Sequence, residues 1–91
     1  MKTQYQSELD VLIEEIGSIQ VNSFSQVVVE IRKYDELPPR IAIMLEKTDQ
    51  MGRVRRNNKL PRLEGSASID IGELMIEAGG RLAEIENTLD E

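Results

Sequence analysis

The chain has 91 residues, 11 Lys plus Arg against 17 Asp plus Glu, and a net charge of −6; it contains no Cys, His or Trp. One small domain is what this length accommodates, and a core of this size gains from partner chains. Missing Cys and His exclude disulfides, thiolate metal sites and every catalytic triad built on imidazole or thiol.

The charge is partitioned along the chain. Residues 1–31 carry one base against five acids, residues 32–62 nine bases against four acids, and residues 63–91 one base against eight acids. A basic middle between acidic flanks points to a polyanionic partner. The longest apolar run, Ile41 to Leu45, is far too short to span a bilayer, and the N-terminus shows no secretion signal. A cytoplasmic location is expected, nucleoid-associated or in a host cytoplasm if the protein is viral.

Residues 8–16 read as a short helix, with Leu9, Leu12, Ile13 and Ile16 at helical spacing, Ser7 as cap and Gly17 as stop. Residues 1–21 are thus assigned to an N-terminal helical extension and 22–91 to the main domain. Residues 26–34 read as a strand with Val27, Val29 and Ile31 on one face and Val28, Glu30, Arg32 and Tyr34 on the other. Pro38 and Pro39 close the turn that follows. Residues 40–47 form the hairpin partner, with Ile41, Ile43 and Leu45 inward and Arg40, Ala42, Met44 and Glu46 outward.

That outward face mixes the cations Arg32 and Arg40 with Tyr34, Val28, Ala42 and Met44. Such a mixture suits phosphate binding and base stacking. Residues 48–67 hold a dense basic segment, Arg53, Arg55, Arg56, Lys59 and Arg62. Asn57-Asn58 reads as a tight turn between arms 53–56 and 59–63, giving a third hairpin, a β-finger or an arm that orders on binding. Arg53 and Arg55 share a side, with Val54 and Arg56 opposite.

Residues 66–70 read as a last short strand. Asp70 and Glu73 then form a capping box for a helix starting at Ile71. Ile71, Met75, Ala78, Leu82, Ile85 and Leu89 follow heptad-like spacing, which marks a seam for a twin helix or for the sheet. Leu74 and Ile76 widen it. Gly79-Gly80 marks a kink or a close helix approach. No acidic cluster forms a calcium loop and no glycine pattern forms a phosphate cradle, so no enzyme, metal or cofactor is expected.

The order of these elements, with the stretches Val27–Tyr34, Arg40–Lys47, Gln50-Met51-Gly52-Arg53 and Ser68–Leu74, resembles the transcriptional coactivator positive cofactor 4 and its bacterial and viral relatives. In that comparison Val27–Tyr34 corresponds to the family's first strand, Arg40–Lys47 to its second, and Ser68–Leu74 to its strand-to-helix junction. Residues 22–90 are covered. Lys47-Thr48-Asp49 stand where the family carries aromatic residues, 54–65 is an insertion, and the N-terminal helix is an addition.

The resemblance implies an α+β fold: a twisted antiparallel sheet of about four strands and a long C-terminal helix, dimerising through that helix at Met75, Ala78, Leu82, Ile85 and Leu89. It implies sequence-tolerant binding of single-stranded DNA in replication, recombination or transcription, with replication or transcription proteins as further partners. Arg32, Tyr34, Arg40, Met44 and Lys47 would lie on the binding surface, with Arg53, Arg55, Arg56, Lys59 and Arg62 along it. The competing expectation is a protein-interaction module that uses the acidic helix. The DNA reading requires the cations to gather on the exposed sheet face, with the acids on the helical side.

Overall fold

The computed structural model describes residues 7–89. A 3-10 turn, Ser7–Leu9, leads into β1 (Asp10–Asn22), followed by β2 (Ser25–Tyr34), β3 (Arg40–Thr48), β4 (Val54–Asn57) and the helix α1 (Gly65–Leu89). The four strands form one antiparallel meander in the order β1-β2-β3-β4. The fold is α+β, a sheet followed by a C-terminal helix, as expected. No described helix is long and apolar enough to cross a membrane.

The predicted N-terminal helix is not formed. Its residues make most of β1, the longest strand. β1 pairs with β2 from Asp10↔Tyr34 to Asn22↔Ser25, and the register shifts between Leu12 and Glu14, Glu15 and Gly17, and Gln20 and Asn22. Each shift inserts a residue that the partner strand does not match, which bends the strand and increases its twist. The positions of β1 facing the helix are therefore Ile19, Gly17, Glu14 and Val11, at intervals of two, three and three residues. Bulges stretch period two toward the spacing of a helix, and this is what misleads the pattern reading. The β-branched residues Val11, Ile13, Ile16, Ile19 and Val21 fit the strand.

β2 and β3 pair from Ser25↔Lys47 to Arg32↔Arg40, so Val27 faces Leu45, Val29 faces Ile43 and Ile31 faces Ile41. These are the inward residues that the sequence alternation picks out. Val27, Val29 and Ile31 have no solvent exposure. Val27, Leu45 and Ile71 form the centre of the core, with Ile19, Val21, Ile43, Leu63 and Met75 around it. Gly17 lies under the helix: a Cβ there would sit 2.8 Å from Leu74 Cδ2.

The predicted strand 66–70 is also absent, because α1 begins at Gly65. Ser68 N–H donates to the Glu64 carbonyl at 3.0 Å, which sets the first turn. The four-residue step from Met75 to Ile71 continues back to Ala67 and Leu63, and both are half-buried. Asp70 and Glu73 lie exposed within the helix instead of capping it.

The heptad seam folds against its own sheet. Ala78 is fully buried, Ile71 nearly so, Met75 packs on the core, and Leu82 and Ile85 are half-buried. Dimerisation through those residues is therefore not supported. The side chain of Leu89 lies outside the described residues. Arg81 locks the helix to β1, donating from Nε and Nη2 to the Glu14 carboxylate at 2.9 and 2.7 Å, and it also pairs with Glu84.

That hydrogen bond holds Glu14 below the ordinary carboxylate range, the attraction of the Arg81 charge acting the same way. A carboxyl with a depressed folded-state pKa adds stability above its unfolded value, and this is lost as pH falls through the folded value. Glu14→Gln should lower Tm at pH 7, and thermal melts should show the gap closing as the pH drops below about 4. A gap that persists at pH 3 would mean that Glu14 acts through packing and not through charge.

Candidate nucleic-acid interface

Strand pairing sorts the basic residues onto two faces. Glu46 pairs with Arg56 on the outer face, whereas Lys47 pairs with Arg55 on the side of Leu45 and the helix. The outer face also carries Asp10, Glu30 and Arg32.

Two of the outer cations, Arg32 and Arg56, are neutralised there. Arg32 Nε donates to Asp10 Oδ1 at 2.8 Å, and its Nη1 to Glu30 Oε1 at 2.9 Å. Arg56 reaches Glu30 Oε2 at 3.1 Å and Glu46 Oε2 at 2.7 Å. Gln26 Nε2 donates to the other Glu46 oxygen at 2.7 Å. The result is a chain of alternating charge, Asp10–Arg32–Glu30–Arg56–Glu46, with three carboxylates for two guanidiniums. Glu30 in its centre is 2% exposed. A buried carboxylate needs such partners, since a lone buried ion is very costly. The same contacts raise both arginines above their ordinary values, mainly through the hydrogen bond from Arg32 to Asp10 and from Arg56 to Glu30.

The expected separation of cations on the sheet from acids on the helix is therefore corrected: carboxylates bind two of the sheet arginines on the same face. Asp10, Glu30, Arg32 and Arg56 of this network line a recess of about 410 Å³ together with Tyr34, Leu37, Pro38, Arg40, Ala42 and Met44. Arg40 Nη1 donates to the Pro39 carbonyl at 2.9 Å. The recess can take a flat ring, but of its three arginines Arg32 and Arg56 are already bound by carboxylates, which leaves Arg40 as its one cation outside the network.

Apart from Arg40, the basic candidates without a carboxylate partner lie on the other side. Lys47 on β3 and Arg55 on β4 stand directly opposite each other, both exposed, with no ion pair among the described residues. Like charges placed so are destabilising in a sheet. α1 packs on β1, β2 and β3, and all four residues of β4 are exposed. Lys47 and Arg55 thus open into a recess of about 740 Å³ bounded by Phe24, Leu45, Asp49 and Pro61.

Phe24 is the chain's one phenylalanine, and it sits at the tip of the β1–β2 hairpin, 65% exposed. The tip is fixed: Asn22 Oδ1 accepts from Phe24 N–H at 2.9 Å, and Thr48 N–H donates to the Phe24 carbonyl at 2.8 Å. Asp49, the acid of this recess, accepts from the backbone N–H groups of Met51 and Arg53, both at 2.9 Å, and pairs with Arg53 Nε at 3.3 Å. These bonds build the β3–β4 turn, where Gly52 takes φ 79°.

Lys59 and Arg62 follow, both exposed, in the connection 58–64, also without an ion pair among the described residues. No second arm forms at 59–63, since β4 pairs with β3 instead. Of the ten residues expected at a nucleic-acid surface, Lys47 and Arg55 line this recess, Arg53 stands in the adjoining β3–β4 turn, and Lys59 and Arg62 lie in the connection to α1, Arg62 beside Ile19, Glu64 and Asp70. Arg32, Tyr34, Arg40, Met44 and Arg56 lie on the outer face. Phe24 escaped the sequence reading, although an isolated aromatic in a polar turn was the available signal. Compared with known proteins, the chain matches no family model, no curated protein and no solved structure.

Proposed function

We propose that the protein binds single-stranded DNA without strong sequence preference, through the basic recess at the β3–β4 end. One observation carries this reading: Lys47 and Arg55 oppose each other without a carboxylate, beside an exposed Phe24. An uncompensated cation pair that costs stability is explained by an anionic ligand, and the neighbouring ring supplies a stacking surface for a base. Arg53, Lys59 and Arg62, exposed in the segment around it, add positive charge. The positive cofactor 4 resemblance favours the same ligand but a different face. Fluorescence titration of single- and double-stranded oligonucleotides at two salt concentrations tests the proposal. Binding should favour the single strand and weaken steeply with salt.

Dimerisation is proposed through the opposite flank of α1. Ile69 and Ile76 are 63% and 78% exposed there. Gly72 and Gly79 alternate with them at heptad spacing, and a Cβ at either glycine would meet open space. A face that carries both apolar knobs and glycine notches fits a copy of itself. Asp70, Glu73 and Glu77 flank the stripe and repel across such a contact, so salt should strengthen the dimer. Light scattering should give a dimer mass that Ile76→Glu reduces to a monomer; a monomeric wild type at high salt and high concentration would exclude the contact.

A further inference from the structure

We infer that the Lys47–Arg55 recess is a subsite for a terminal phosphate monoester, so that the protein prefers a phosphorylated strand end to an internal stretch of the same strand. This rests on the reading of the recess as a nucleic-acid interface, and it names the part of the strand that occupies it.

The argument is one of charge count and shape. Two opposed cations face the recess from β3 and β4. The one acid there is Asp49, and Arg53 together with two backbone N–H groups already engages it. The hairpin tip, Asn22 to Ser25, and Pro61 contribute no charge. The recess therefore presents two uncompensated positive charges. An internal phosphodiester carries a single negative charge. A terminal monoester approaches two above its second pKa of roughly 6, with three oxygens open to donors. The dianion matches the pair.

The surroundings have the chemistry of a nucleotide's remaining parts. Phe24 presents a flat apolar face on a rigid turn, and Leu45 and Pro61 add apolar wall. Ser23 offers a hydroxyl at the rim. A volume of about 740 Å³ is ample for one nucleotide.

The test compares oligonucleotides of one sequence with 5′-phosphate, 3′-phosphate or hydroxyl ends by fluorescence anisotropy, and adds a deoxynucleoside monophosphate followed by NMR. One phosphorylated end should bind about tenfold tighter than the hydroxyl-ended strand, because hydrogen bonds to charged groups are the strong kind. That ratio should fall toward one in Lys47→Gln/Arg55→Gln. It should also fall as the pH drops through about 6, where the monoester loses its second charge. With no His and no Cys in the chain, this pH dependence reports the ligand and not a protein side chain.

Equal affinity for all three ends would overturn the inference and leave strand binding standing. Shifts at Phe24, Lys47 and Arg55 with the monophosphate, without binding of any oligonucleotide, would uphold the subsite and overturn strand binding. No response to any ligand would overturn both.

Discussion

Lys47→Gln/Arg55→Gln should lose single-stranded DNA affinity and gain or keep stability. Lys47 and Arg55 line the recess, and Arg53, Lys59 and Arg62 are the further exposed cations of the segment that follows β3. If each neutralises one phosphate, the log–log dependence of affinity on salt has a slope near −3.5, or about a hundredfold loss between 50 and 200 mM. Removing two of them should bring the slope to about −2. The stability effect has the opposite sign. Two like charges facing each other across β3 and β4 cost folding energy, and their removal relieves it. Salt titrations paired with thermal melts check both halves. An unchanged slope would remove the recess from the binding surface, and a marked fall in Tm would show that the pair has a structural partner.

Glu30→Ala should be the most damaging single change in the sheet. The carboxylate is almost completely buried between Arg32 and Arg56. Removing one member of a buried ion cluster typically costs about 3–5 kcal/mol, since the charges left behind lose their compensation. For a domain of this size, that is a Tm loss of about 15–30 °C. Glu30→Gln keeps the shape and some hydrogen bonding and should cost less. Thermal melts measure both variants. A loss below about 1 kcal/mol would mean that water already screens the network. Arg32 and Arg56 would then become available to phosphates, and the outer face would regain its claim as the binding surface.

The two predictions separate functions that the sequence presents as one basic segment. Arg55 and Arg56 are neighbours in the chain, yet one opposes Lys47 and the other closes a buried carboxylate cluster. Alternation alone places them on opposite sides. Which side meets acids depends on β4 pairing with β3 in the register Glu46↔Arg56, a contact that local pattern does not reveal. The acids were visible: Glu30 and Glu46 fall on the same outward face as Arg32 by simple period two. Reading that face by its cations alone conceals the compensation.

The fold was legible where one periodicity governed an element. β2 and β3 alternate cleanly, and their inward residues are the core. The helix was legible from Ile71 onward, while its first turns, rich in Ser and Gly, lacked a strong apolar signal beyond Ala67 and Leu63. β1 was misread because bulges shift its side chains between faces, so Leu12, Ile13 and Ile16 mimic a helix. The helix seam, for its part, has the spacing of a coiled coil and is nevertheless spent on the chain's own sheet. Spacing describes a stripe, and only tertiary contact names what covers it.

The bulged outer strand has one more consequence. β1 is a margin of the sheet, and Val11, Leu12 and Ile13 lie exposed along it. A straight margin of this composition would recruit strands from other molecules and seed fibrils. The break in register beside Ile13 coils the margin out of plane and denies an incoming chain a continuous ladder. The irregularity that disguises this strand in the sequence also guards a crowded solution of the protein against polymerisation.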